Sequence, residues 1–322
     1  KYFARLDWNI TDGQRLTFSF QDTHGASFNG STSDLFAQGD STTQPRIGLE
    51  SNQFIKDEQL RTYTLQLNSH WSSEFSTELR YNNKHTVQNR IVLSPDTSVG
   101  QILVNVQDLP GVLTGNVTCP TTSTSQCPQL QLGTQAQSQP NFLDITVDTA
   151  EAIARYHMGD HELMDGLRIE HQDILNIFGN GYLPAYGFTS YANFQAHTAA
   201  TFSLTGAVNP TGGTVPIVAN TAAAGAAAFS YSLGSIYAED TWHLTPSLSV
   251  LYGLRYDRFF MNDTPVNNPS FQTRNGFSNQ QNLDGLGILL PRVYLTWRPT
   301  SRLDVNLGFG RFSNQGLNVW IS

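Results

Sequence analysis

The 322 residues carry 18 basic and 26 acidic side chains, a formal charge of -8, and only 14% charged residues, against roughly 25% in ordinary soluble domains. So little charge, spread without runs, excludes coiled coils and charge-rich disordered tails, and the acidic balance argues against a nucleic-acid partner. No stretch of about 18 apolar residues occurs, which excludes a transmembrane helix and leaves open a β-barrel, whose strands meet lipid only at every second residue.

In chain order, Tyr2, Ala4, Leu6, Trp8 and Ile10 alternate with Phe3, Arg5, Asp7 and Asn9. After the turn Thr11-Asp12-Gly13-Gln14, Leu16, Phe18 and Phe20 alternate with Arg15, Thr17 and Ser19. Period two on both sides of an Asp-Gly turn predicts a hairpin with one apolar and one polar face. A second unit sets Tyr63, Leu65, Leu67 and Trp71 before Ser72-Ser73-Glu74, and Phe75, Leu79 and Tyr81 after it. The third runs from about Phe142 to Ile177 and turns at Gly159-Asp160; its first arm, Ile145 to Met158, alternates less cleanly. The fourth runs from about Tyr231 to Phe260 through Thr245-Pro246-Ser247, and the fifth turns at Pro299-Thr300-Ser301 between Val293, Leu295, Trp297 and Leu303, Val305, Leu307. Five hairpins predict ten antiparallel strands.

The connections between hairpins, roughly Asp22 to Lys56, Ile91 to Asn141, Gly179 to Ala228 and Asn262 to Leu290, are long and rich in Asn, Gln, Ser, Thr, Gly and Pro. Structureless loops of that length are uncommon in a compact soluble domain, whereas short turns on one side and long loops on the other suit an outer-membrane barrel. A soluble sandwich would turn every 8–12 residues; here hairpins recur after about 61, 87, 85 and 54. Trp8, Trp71, Trp242 and Trp297 each precede a short turn by no more than three residues, as an interfacial aromatic girdle requires, with Trp8, Trp71 and Trp297 in phase with the apolar face. Tyr2, Tyr81, Phe259 and Phe260 are candidates for the opposite girdle, and Trp320 fits neither.

The polar face carries Arg5, Asp7, Arg15, Glu78, Arg80, Lys84, Arg168, Glu170, Arg255, Asp257, Arg292, Asp304 and Arg311. Inside a wide barrel these would line the lumen and pair with one another, with a plug or with a passing solute; mixed signs select neither anion nor cation. Cys119 and Cys127, seven residues apart in a Thr/Ser/Pro-rich stretch without His or acidic neighbours, suit a small loop disulfide in an oxidising compartment, with two free thiols as the alternative. His157 and His161 flank a turn with Asp160 and Glu162 and read as a solvated turn rather than a metal site. His24, His70 and His85 read as lumen or loop residues. Glu239 and Asp240, adjacent on a strand, point to opposite faces and cannot flank one scissile bond. No phosphate loop, dinucleotide fingerprint or nucleophile elbow occurs, so no enzymatic activity and no cofactor are expected.

The segment Tyr237-Ala238-Glu239-Asp240-Thr241-Trp242-His243-Leu244-Thr245-Pro246-Ser247-Leu248, followed by Leu251-Tyr252-Gly253-Leu254-Arg255-Tyr256-Asp257, resembles TonB-dependent outer-membrane receptors, in particular the Oar-like group with a carboxypeptidase-regulatory-like extension. Phe3-Ala4-Arg5-Leu6-Asp7-Trp8-Asn9, Pro291-Arg292-Val293-Tyr294-Leu295-Thr296-Trp297-Arg298-Pro299 and Gly308-Phe309-Gly310-Arg311-Phe312 are similar in phrasing. The resemblance implies an all-β antiparallel transmembrane barrel in a Gram-negative outer membrane, surrounded by outer-membrane lipid and lipopolysaccharide. It also implies uptake of a solute such as a siderophore, glycan or peptide, bound at extracellular loops and driven by TonB through a plug. Such barrels have 22 strands. Residues 1–322 are therefore expected to be part of one barrel domain, without the signal peptide, plug or closing C-terminal strands. A non-transporting surface adhesin and a secreted carbohydrate-active β-protein are the alternatives.

Overall fold

A computed structural model describes residues 1–29, 46–96, 98–110, 128–138, 140–178, 183–204 and 226–313. The strands are β1 (Tyr2–Thr11), β2 (Gln14–Asn29), β3 (Arg46–Gly48), β4 (Phe54–His70), β5 (Phe75–Val92), β6 (Ile102–Asn105), β7 (Gln129–Leu132), β8 (Asn141–Met158), β9 (His161–Phe178), β10 (Ala185–Phe188), β11 (Thr201–Ser203), β12 (Ala226–Thr245), β13 (Leu248–Phe260), β14 (Gly287–Thr300) and β15 (Leu303–Gly310). Ten of them form one antiparallel sheet in the order β1-β2-β4-β5-β8-β9-β12-β13-β14-β15, so every predicted hairpin is present and each neighbours the next. The turns are short because each carries the residues a tight reversal needs; Gly159, at φ 61°, lets β8 and β9 reverse through two residues.

The longest strands run well past the expected hairpin arms. β2 continues seven residues beyond Asp22, and β12 is 20 residues long, whereas about 9–11 suffice to cross a bilayer. On the extensions of β8, β9 and β12 the hydrophobic phase inverts. Ile145, Ile174, Phe229 and Tyr231 point to the face that carries the charged residues lower down, and Met261 and Leu283 of the β13–β14 connection cover them. Phe259 belongs to this cluster, its ring 5.8 Å from Tyr231, and so stands on the polar-face side rather than in an outer girdle. The same connection holds a helix, Pro269–Asn275, capped by the Asn268 side chain and stopped at Gly276 with φ 79°.

The long connections are not structureless. β3, β6, β7, β10 and β11, drawn from three of them, pair in a mixed sheet of order β11-β10-β6-β7-β3. Val104, Val106 and Phe188 form its core, with Leu130, Tyr191 and Phe194 packed against them. Asp108 ties two connections together: its carboxylate accepts from the backbone N–H groups of Tyr191 and Ala192, both at 2.9 Å, at the start of the short helix Tyr191–Gln195. Partial burial opposes the charge, and those N–H groups outweigh it, holding the carboxyl below its ordinary range. Its contribution is therefore present above the ordinary carboxylate range and lost only as pH falls through the depressed value. Asp108→Ala is expected to cost about 1 kcal/mol locally and to raise amide hydrogen exchange over residues 186–203; unchanged exchange would show that the cap does not hold the loops together.

Candidate functional site

The two faces of the ten-stranded sheet are set by register. One row of directly opposed residues runs Trp8, Leu16, Leu67, Leu79, Ala152, Leu167, Ile236. The row beside it, on the other face, runs Asp7, Thr17, Gln66, Arg80, Glu151, Arg168, Ser235, Asp257. Because strand side chains alternate, the first face is predominantly apolar and the second charged along these rows.

On the polar face nearly every arginine has a carboxylate partner. Asp7 accepts from Arg5 at 2.9 Å, from Arg15 at 3.0 Å and from Thr17 at 2.7 Å. Glu78, 7% exposed, accepts from Arg80 and from Arg155 at 3.3 Å, and Arg80 also reaches Glu151 at 3.5 Å. Glu151 in turn accepts from the Tyr237 hydroxyl at 3.0 Å. Further along, Arg168 pairs with Glu170, Arg255 with Asp257 at 2.7 Å and with Ser235 at 2.8 Å, and Arg292 with Glu239. The result is a ladder of fixed donors and acceptors crossing strands β1 to β14. Lys84 stands on this face, exposed and without an ion pair among the described residues. Concavities of about 460 Å³, lined by Arg168, Glu170, Arg255 and Asp257, and of about 290 Å³, lined by Tyr237, Glu239, Arg292 and Arg311, open onto the ladder.

Gly166 is what lets Tyr237 reach Glu151. A Cβ at Gly166 would lie 2.1–2.4 Å from the Tyr237 ring and hydroxyl atoms, so the ring lies across bare backbone. Gly166→Val is expected to destabilise the barrel by about 1–3 kcal/mol through overpacking and to release Tyr237 from Glu151; tyrosine fluorescence and urea midpoints of the folded barrel report both, and an unshifted midpoint refutes the contact.

On the apolar face all four turn-proximal indoles are exposed, from 40% at Trp242 to 58% at Trp8 and Trp71. Trp242, which the sequence pattern left out of phase, shares its row with Val250 and Leu295 and belongs to this face. The line they trace drifts across the strands. Following register from Trp8 through six strand steps leads to Ile236 on β12, and Trp242 lies six residues nearer the turn. One residue of drift per strand, at about 3.3 Å rise and 4.8 Å spacing, means strands tilted about 35° from the normal to that line, within the range of barrel strands. Phe20 and Tyr63, with ring centroids 5.0 Å apart, mark the other margin, with Tyr81 one row below. Tyr63 and Trp71 are eight residues apart, which at that tilt makes an apolar belt about 22 Å tall, close to the roughly 25 Å expected.

His24, His85 and His161 occupy other places than the pattern suggested. His24 and His85 stand on the apolar-face side, above the belt, bonded to Asp57 at 2.7 Å and Asp144 at 2.8 Å. His161 is not a solvated turn residue: its Nδ1 meets Asp240 at 2.7 Å, Tyr252 donates to the same carboxylate at 2.5 Å, and the imidazole stacks on Trp242 at 5.3 Å. No group of three potential metal ligands occurs among the described residues. Cys119, Cys127 and Trp320 lie outside the described residues.

The sequence matches a family model described as "Outer membrane beta barrel domain" over residues 1–319. No curated protein matches it. Among solved structures, the chain resembles the ferric-catecholate import receptor Fiu of Escherichia coli K12, in its open form with TM-score 0.52, 11% identity, 96% of this chain and 46% of that one. The closed form gives TM-score 0.50, 12% identity, 96% and 42%. The FrpB iron transporter of Neisseria meningitidis gives 0.49, 11%, 92% and 34%. The chain thus spans less than half the length of these structures, and at such identity the likeness is one of fold. Belt, tilt, short turns, long loops and the family match together place it in the outer membrane of a Gram-negative cell, and the chain belongs to the outer membrane beta-barrel domain family.

Proposed function

We propose that the ten strands are a section of a larger closed barrel whose polar face lines the lumen, and that the whole protein is a TonB-dependent receptor. It takes a solute at its extracellular loops and passes it through the barrel without chemical change, drawing on TonB through a plug. The ladder of paired charges is the observation that carries this reading. A face lined by arginine–carboxylate pairs has no use as a dry core, since burying ions costs several kcal/mol each, but it suits a wide, wet lumen against which a plug or solute can exchange hydrogen bonds. The fold likeness to Fiu supports it, and so does the loop sheet, which gives three connections one ordered outward surface. The indoles would sit at the periplasmic headgroup level.

The test is growth and uptake in the cell that makes the protein. Deleting it should abolish use of one siderophore, glycan or peptide source, and deleting TonB should have the same effect. Surface binding that persists with no uptake defect in either deletion would favour the adhesin and sink the transporter.

A further inference from the structure

The apolar face carries a depression. Its floor on β8 is Ala150 and Ala152, and Gly234 of β12 lies in the same row as Ala150. Leu79, Leu167 and Phe260 stand taller around this floor and enclose an open cavity of about 760 Å³ with walls almost wholly of carbon, within the roughly 300–1,000 Å³ of small-molecule sites. Even a methyl group on Gly234 would press the Phe260 ring, at 3.0 Å. The depression lies in the half of the belt nearer the long loops, since its floor reaches the row of Tyr81.

At its upper edge stands a cation. Arg258 is directly opposite Gly234 in register and two residues above Tyr256, at the margin of the belt, and its guanidinium lies 5.1 Å from the centroid of Phe260. No carboxylate is within ion-pair distance of Arg258 among the described residues, whereas Arg61, the other arginine that the ten-stranded sheet turns to this side, is held by Asp22 at 3.3 Å. An arginine fork free of carboxylates, at headgroup height, over a hydrocarbon trough is complementary to a phosphate bearing acyl chains.

We propose that this trough is a specific seat for lipopolysaccharide, with acyl chains over Ala150, Ala152 and Gly234 and a phosphate on Arg258. The long-loop half of the belt meets the outer leaflet, which identifies the phosphorylated lipid as the glycolipid rather than an inner-leaflet phospholipid. The proposal rests on the position of the belt and not on transport, so either can fail without the other.

The experiment isolates the full-length protein from outer membranes in mild detergent and measures lipopolysaccharide retained per barrel by mass spectrometry of its 3-hydroxyacyl chains. Arg258→Gln and the trough-filling Ala152→Phe should each lower retention about tenfold, the loss of one charge-assisted contact or of the trough, while Arg258→Lys keeps an intermediate amount. Heat-modifiable migration confirms that each barrel has folded, and Arg258→Gln, at an exposed site, guards against failure of the larger substitution. Equal retention in wild type and Arg258→Gln overturns the proposal. So does retention of glycerophospholipid in place of lipopolysaccharide, or a dimer that disappears in the same variants, which would make a second copy the occupant.

Discussion

An arginine at Leu79 is expected to destabilise the barrel by about 2–4 kcal/mol, whereas an arginine at Thr149 changes stability by less than about 1 kcal/mol. Leu79 lies directly opposite Leu67, midway between Tyr63 at the upper margin of the belt and Trp71 at the lower one, and it is 51% exposed on the apolar face. A guanidinium there can snorkel to neither interface without leaving its rotamer wells, so it would sit in hydrocarbon. Thr149 is on the opposite face, directly opposed to Asn82 and Glu170, where an added cation meets water and a carboxylate. Urea unfolding of the full-length barrel in lipid vesicles reads both, with Leu79→Ala correcting for lost side-chain volume. Equal costs for the two arginines would mean that the faces are misassigned.

The ten strands were legible because half of each one faces lipid and half faces charge, so period two survives over the length that crosses the membrane. The phase fails where the environments exchange. On the upper half of β8 the outer residues Asp144, Thr146 and Asp148 are polar and the inner Ile145 and Val147 apolar, because a loop covers the inner side there; lower down, the outer residues are alanines. That exchange, rather than weak strand propensity, blurs the alternation from Ile145 to Met158. Trp242 was misphased for a related reason: Asp240, two residues before it, puts a carboxylate into an otherwise apolar row. The loop sheet left no pattern to read, since its strands are three or four residues long and their partners are drawn from different connections. The lumen charges were legible as a class, but which arginine meets which carboxylate depends on strand register, and register is fixed by turns and bulges such as the shift between His243 and Thr245.

The Asp240 carboxylate on the apolar face makes His161 the more consequential histidine. Asp240 has a side chain only 7% exposed and sits between Ala238 and Trp242 on a predominantly apolar face. His161 and Tyr252 supply its hydrogen bonds, at 2.7 and 2.5 Å. Removing one partner from a buried charge costs more than removing both, because the remaining group keeps its desolvation penalty and loses its compensation. His161→Leu is therefore expected to cost about 2–4 kcal/mol, and the double variant His161→Leu/Asp240→Leu to recover to within about 1 kcal/mol of wild type. His161→Phe separates the two duties of the imidazole: it preserves a ring to stack on Trp242 and still strands the carboxylate, so it should be nearly as damaging as His161→Leu. Urea midpoints of the four proteins in vesicles decide the matter. If His161→Phe is neutral, stacking and not charge compensation is what the histidine supplies; if the double variant is worse than His161→Leu alone, Asp240 is stabilised by groups other than His161.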